Sequence, residues 1–254
     1  MVAMLVLAVG CASSQITLSD AIEADELSQV NRLIDEGVDL EGPLVLGMTP
    51  LMRAANRNST AIAKALVEAG ADTDAAGSGG LTPLHIAARA DAAETLSYLL
   101  GAGADPELRS ASGMNALDHA SASGAVEVLE DLSSTGVDLN APSRAVTQGH
   151  GYPRDQGPTP LGLAVREGHL DSARALLDLG ADVDGLSASG HTPLLLAIFF
   201  DQAPELVRVL LDAGADPTAQ AVCDLGCAVG GGRPLSARQW ASELGRDELL
   251  AELP

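Results

Sequence analysis

Five histidines and three cysteines hold most of the chemistry this chain could perform. His85, His119, His150, His169 and His191 are scattered, Cys11 stands alone near the N-terminus, and Cys223 and Cys227 form the one close thiol pair. A catalytic zinc needs several ligands at compatible spacing, such as HExxH, and a nucleophilic Ser or Cys needs a recognisable base. Neither pattern occurs. Cys223 and Cys227 lack two further ligands of matching spacing, so a disulfide is the stronger reading of the pair; closing so short a loop adds about 2 kcal/mol. A metal or catalytic site drawn from His150, His191, Cys223 and Cys227 is the alternative. Gly230-Gly231-Gly232 is followed by no Lys-Ser/Thr and preceded by no strand, so it is a hairpin rather than a phosphate loop. Asn58-Ser59-Thr60 matches a glycosylation sequon formally. No cofactor and no enzymatic activity are expected.

Composition narrows the partners. The net charge is −21 and Lys64 is the single lysine, which excludes nucleic-acid binding through phosphate neutralisation and disfavours anionic lipid headgroups. Hydrophobic residues make up 46% of the chain, so it can fold, yet only Tyr98, Tyr152, Phe199, Phe200 and Trp240 carry large rings. The core must therefore be built from Ala, Leu and Val, which favours helices. No apolar run reaches the roughly 18 residues that span a bilayer.

Residues 1–10, MVAMLVLAVG, are apolar and end at Cys11, followed by the short polar stretch 11–15. This segment resembles a secretory signal, and Ala8-Val9-Gly10-Cys11 resembles a bacterial lipoprotein box, with Ala8 where Leu is usual and no basic leader before Arg32. The resemblance implies cleavage before Cys11, lipidation of its thiol and display from the outer membrane into the periplasm. A cytoplasmic protein with an apolar N-terminus is the alternative. The Cys223–Cys227 pair agrees with export.

The strongest signal is periodic. Thr49-Pro50-Leu51, Thr82-Pro83-Leu84, Asn115-Ala116-Leu117, Thr159-Pro160-Leu161 and Thr192-Pro193-Leu194 are separated by 33, 33, 44 and 33 residues. A second comb, Gly37-Val38-Asp39, Gly70-Ala71-Asp72, Gly103-Ala104-Asp105, Gly136-Val137-Asp138, Gly180-Ala181-Asp182 and Gly214-Ala215-Asp216, runs in parallel. Thr caps a helix, Pro occupies its first turn, and Gly takes the left-handed position after a second helix. The pattern resembles the ankyrin repeat, best at Thr82-Pro83-Leu84-His85-Ile86-Ala87-Ala88 and Gly168-His169-Leu170. It implies an all-α solenoid of about seven helix-turn-helix repeats with β-hairpin or loop fingers over 16–254. The repeats start near 16, 49, 82, 115, 159, 192 and 236, with insertions near 142–157 and 220–235. Aligning Ser236-Ala237-Arg238-Gln239-Trp240-Ala241 with the TPLHLA segment makes Trp240 a core residue and Asp247 to Leu253 a polar C-terminal cap. In this register His85 and His169 tie adjacent loops, His119 faces inward, and His150 and His191 lie on fingers.

The resemblance also implies where a partner binds, namely the concave groove of inner helices and finger tips. The candidate contacts are Met48, Leu81, Met114 and His191 before each cap, Arg57, Arg89 and Arg166 at inner-helix ends, Phe199 and Phe200 in the sixth repeat, and Tyr152 on the first insertion. Both phenylalanines fall where the family is usually polar. They are either turned inward by the extra residue of that repeat or form a binding anchor. The expected molecule is a monomeric protein-binding scaffold whose partner has a basic, partly apolar face. An inhibitor or immunity protein masking a secreted enzyme, and a cytosolic adaptor, are the alternatives.

Overall fold

The computed structural model of the protein describes residues 17–143, 157–187, 190–221 and 234–253. Cys11, His150, Tyr152, Cys223, Cys227 and Gly230 to Gly232 lie outside these residues. Among the described residues, helices alternate between two layers. The inner layer comprises α1 (Leu18–Glu23), α3 (Pro50–Asn56), α5 (Pro83–Arg89), α7 (Ala116–Ser123), α9 (Pro160–Glu167), α11 (Pro193–Phe199) and α13 (Ala237–Leu244). The outer layer comprises α2 (Leu27–Asp35), α4 (Thr60–Glu68), α6 (Ala93–Gly101), α8 (Leu129–Ser134), α10 (Leu170–Asp178), α12 (Pro204–Asp212) and α14 (Asp247–Leu250). Each inner helix packs on the next inner helix and on the outer helix that follows it, which is the arrangement of a solenoid.

Each inner helix starts where the threonine comb places it. The Thr49 hydroxyl accepts the Met52 N–H at 3.2 Å, Thr159 that of Gly162 at 3.1 Å, and the Asn115 side chain that of Asp118 at 2.9 Å. Such a cap contributes about 1 kcal/mol. In the first repeat the cap is Thr17, 32 residues before Thr49 rather than 33, with its hydroxyl accepting the Asp20 N–H at 3.2 Å. Leu51, Leu84, Leu117, Leu161 and Leu194 all turn inward, at most 1% exposed, and Ala54, Ala87, Ala120, Ala164 and Ala197 are wholly buried beside them. Alanine at these points lets neighbouring helices approach closely, so a continuous core forms without large rings.

At four junctions the side chain two residues beyond one Gly-x-Asp aspartate accepts the backbone N–H of the next comb aspartate and ties the two repeats together. The Asp72 N–H donates to Glu41 Oε1 at 2.9 Å, that of Asp105 to Asp74 Oδ1 at 3.0 Å, that of Asp182 to Asn140 Oδ1 at 2.8 Å, and that of Asp216 to Asp184 Oδ1 at 3.0 Å. Much of the acidity along the fingers therefore supplies acceptors for backbone donors that the finger turn would otherwise leave to water.

The last repeat departs from a simple period. Strands β1 (Gln220–Ala221) and β2 (Leu235–Ser236) pair antiparallel and close the base of the second insertion. Trp240 is 1% exposed and its Nε1–H donates to the Ala221 carbonyl at 3.4 Å, so the ring is both core and clamp on that base. The C-terminal helix ends at Leu250 instead of continuing to Leu253, and Leu249 and Leu253 are buried. Asp247 and Glu248 face water. The terminal element thus has an apolar side, because α13 needs cover that a wholly polar helix could not supply.

Candidate functional site

The candidate surface for a partner is the line of inner-helix ends. The loops leaving these helices recur in the left-handed conformation at Asp25, Asn58, Asp91, Gly124, Gly168, Asp201 and Gly245. Asp and Asn tolerate this conformation because their short polar side chains bond locally. Asp91 accepts the Val126 and Val128 N–H groups at 3.2 and 3.3 Å, which caps the start of α8 from the preceding repeat. Asn58 accepts the Thr95 N–H at 3.1 Å and donates to Glu94, so the amide of the formal sequon is held in an inter-repeat link. The glycine–histidine step does the same work: the His169 ring lies over Gly124 and its Nε2 bonds the Ala122 carbonyl at 3.2 Å.

Phe199 and Phe200 sit at the end of α11 and are half-buried. Their rings meet edge to face with centroids 5.0 Å apart, and Phe199 meets Trp240 in the same way at 5.9 Å. The pair is neither free in solvent nor absorbed into the core. One side of it is fixed by the last repeat and the other side is open, which pre-positions apolar area at low entropic cost.

His191 is corrected by the structure. The sequence puts it on an exposed finger, but it is 1% exposed. The finger folds back just before the Thr192 cap: the His191 carbonyl accepts the Ser187 N–H at 2.9 Å, its N–H donates to the Ser187 hydroxyl at 2.9 Å, and its ring faces Trp240 at 6.3 Å. It supports the aromatic cluster from behind and cannot touch a partner on the groove. Met48, Leu81 and Met114 are half-buried.

The three arginines differ. Arg57 pairs with Glu23 at 3.0 Å, and Glu23 also meets Arg53. Arg166 pairs with Glu167 at 2.7 Å. Arg89 is exposed and has no ion-pair partner among the described residues. Among the described residues no three His, Cys, Asp or Glu side chains gather as metal ligands, and no helix is long and apolar enough to cross a membrane.

A family model described as ankyrin repeats in three copies matches residues 18–110, 80–143 and 145–221. The chain belongs to the ankyrin repeat family. It is similar to the crystal structure of the human ASB11 ankyrin repeat domain, with 26% sequence identity over 93% of this chain and 97% of that one, at a TM-score of 0.70. A search of curated proteins finds no match. Ankyrin repeats are typically non-catalytic and bind other proteins; a protein–protein interaction scaffold is the coarse function of this chain.

Within the ankyrin frame His85 and His119 are structural as well. His85 is 1% exposed; its Nδ1 accepts the Thr82 N–H at 3.0 Å and its Nε2 bonds the Leu108 carbonyl at 2.9 Å, the pattern of a neutral ring. Burial pushes its pKa down. His119 is turned inward and bonds the Ser110 hydroxyl at 3.1 Å; burial, with His85 and Arg89 nearby, lowers its pKa to about 4.

Sequence reading passed over Asp118, which holds the position of His85 one repeat later. Its carboxylate is 2% exposed, accepts the Asn115 N–H at 3.1 Å and lies 3.5 Å from the Arg109 guanidinium. Burial outweighs these two interactions and raises its pKa to about 7. The signal was present in the broken motif, Asn115-Ala116-Leu117-Asp118 where Thr-Pro-Leu-His is usual.

Proposed function

We propose that this ankyrin repeat chain captures a protein partner on its groove, with Phe199 and Phe200 as the apolar anchor. Arg57, Arg89 and Arg166 extend the contact along the inner-helix ends, and Met48, Leu81 and Met114 flank it on the finger side. Tyr152 is assigned to the same surface on sequence alone. The observation that carries the reading is the half-open pair of Phe rings braced by Trp240, in a chain with five large aromatics in all. Anchors of this type, ordered before binding and ringed by polar residues, dominate binding energy in protein interfaces. The net charge of −21 favours a partner with a basic, partly apolar face.

Phe200→Ala removes the outer ring and Phe199→Leu keeps apolar contact with Trp240. Affinity purification from the native host should lose the partner with Phe200→Ala while helical circular dichroism stays unchanged. Equal capture by both variants and the parent removes the pair from the site.

The proposal includes attachment through a lipid on Cys11, with the solenoid facing the periplasm. It rests on the apolar stretch 1–10 and the Ala8-Val9-Gly10-Cys11 box. Cys11→Ser should block processing and release the protein from the membrane fraction; unchanged size and fractionation would leave the box a chance match and favour the cytosolic adaptor.

A further inference from the structure

The fingers before α3, α5 and α7 share one closure. The Leu44 N–H donates to the Met48 carbonyl at 2.7 Å, that of Gly77 to Leu81 at 2.9 Å and that of Ser110 to Met114 at 2.9 Å. The two residues after each donor are Val45-Leu46, Ser78-Gly79 and Ala111-Ser112, so only the first tip carries large apolar side chains. Val45 and Leu46 are 57% and 76% exposed and take no part in the core; Leu46 is the most exposed large apolar residue among the described residues. It also stands at φ +63°, a left-handed conformation that strains a leucine and that Gly79 takes at φ +72° with no side chain. The turn itself therefore does not require these two side chains, and the cost in strain and exposure is met at this one tip.

The tip lies at the end of the molecule where the N-terminal segment joins the solenoid. Glu23, at the end of α1, meets Arg53 and Arg57 at the end of α3, so these two helices run side by side in one direction and their caps, Thr17 and Thr49, are neighbours. Packed helix axes are about 8–10 Å apart. Leu46 is three residues before Thr49, a reach of at most about 11 Å, and Cys11 is six residues before Thr17, a reach of at most about 22 Å. A lipid on Cys11 thus keeps the capped ends of the first inner helices, and the finger tip beside them, close to the bilayer. The net charge of −21 opposes anionic headgroups, so the surface that suits an uncharged aliphatic tip is zwitterionic.

We propose that Val45 and Leu46 form a membrane foothold, two aliphatic side chains that insert into the interfacial region of a zwitterionic phospholipid bilayer beside the lipid on Cys11. The foothold rests on the lipid-anchor reading of Cys11 and uses none of the Phe199–Phe200 surface. Two side chains are too few to recruit a free protein to lipid, but the tether confines the tip at the surface and makes its insertion an intramolecular event. The left-handed backbone holds the leucine outward beforehand, so little freedom is lost on insertion. Insertion turns the capped ends of the first inner helices toward the lipid and so orients the solenoid on its anchor.

The test uses the processed chain, residues 11–254, with Cys223 and Cys227 changed to Ser so that Cys11 alone is coupled to a single myristoyl chain, whose membrane binding is reversible. Partition onto phosphatidylcholine vesicles is compared with and without the further change Val45→Ser/Leu46→Gly. The tip variant should partition about threefold or more weaker. With the tip intact, amide exchange at Val45, Leu46 and Gly47 should slow on vesicles and that at Ala111, Ser112 and Gly113 should not, a readout that needs no substitution in the finger. Leu46→Gly should melt no lower than the parent, because glycine adopts the same turn without strain. A substantial fall in Tm would show that Leu46 packs for the fold and overturns the proposal. Equal partition of the two chains, or exchange at Val45 to Gly47 that vesicles leave unchanged, overturns the foothold and leaves the Cys11 reading standing; the Cys11→Ser fractionation does not involve the tip and fails separately. Loss of the captured partner by the tip variant, with partition unchanged, assigns the tip to a protein surface instead.

Discussion

Phe199 stands edge-on to Trp240, centroids 5.9 Å apart, and so joins the sixth repeat to the seventh through a ring contact, as His85 and His119 join the third to the fourth with centroids 5.1 Å apart. Around it the Trp240 indole clamps Ala221 at the base of the second insertion and His191 closes the cluster from below. The candidate anchor and the terminal repeat therefore share one packing unit.

From this unit, truncation should separate stability from binding. Phe199→Ala removes the contact with buried Trp240 and should destabilise the C-terminal repeats by about 2–3 kcal/mol, somewhat below the range for fully buried phenylalanine because the ring is half-open. Phe200→Ala should cost about 1 kcal/mol or less. Urea unfolding followed by circular dichroism distinguishes them, and a larger loss for Phe200→Ala would reverse the roles given to the two rings.

Asp118 and His119 should give opposite pH dependences that overlap. The folded Asp118 carboxyl titrates near 7 rather than near 3.8, so its contribution is full below about pH 4 and is lost as pH rises through 7. The folded His119 imidazole titrates near 4 rather than near 6.5, so its contribution is full above 6.5 and is lost as pH falls through 4. In the parent the two slopes largely cancel between pH 4 and 6.5. Asp118→Asn should uncover the histidine slope, with Tm falling as pH is lowered across that window; His85, also held neutral by burial, acts in the same direction. His119→Gln should uncover the aspartate slope, with Tm falling as pH is raised from 4 to 7. Melting curves across this range check both signs.

Gly124 should resist substitution for two separate reasons. Its φ is +76°, and a Cβ there would stand 2.7 Å from His169 Nδ1, displacing the ring that bonds the Ala122 carbonyl. Gly124→Ala should cost about 2 kcal/mol or more, the sum of left-handed strain and a weakened link between repeats. His169→Ala in the same background should recover part of the loss by removing the clash. Thermal denaturation of the single and double variants reads the coupling.

Removing Asp91 should loosen α8 more than its exposure suggests. Its carboxylate holds the Val126 and Val128 N–H groups, which have no intrahelical acceptor at a helix start. Asp91→Gly keeps the left-handed backbone at φ +52° without strain and should still lose about 1 kcal/mol through the missing caps. Faster amide exchange confined to Val126 and Val128 and the first turn of α8 is the expected readout. By contrast Glu23→Gln, which disrupts an exposed pairing with Arg53 and Arg57, should change stability by less than about 1 kcal/mol.

The period of the chain alone established the architecture. A threonine and proline every 33 residues can only start helices, a glycine before aspartate can only end them, and the Leu and Ala between must face the next unit because a single pair of helices cannot bury them. The core placement of Trp240 was equally legible, since the four-residue step from Ala241 to Gly245 matches that from Ala164 to Gly168. What spacing could not supply was the direction of side chains within a finger. His191 and Leu46 both precede a cap by a few residues in a polar-looking turn, yet one is 1% exposed and the other 76%. His191 is drawn in because the seventh repeat brings Trp240 against it, while Leu46 is turned out by a backbone dihedral that only the closed finger reveals. Likewise the acidic residues read as bulk charge in the sequence, and tertiary packing made many of them acceptors between repeats and buried one, Asp118, beside Arg109. Periodicity is a local property of the chain and survives in one dimension; burial and electrostatics depend on which repeat stacks against which.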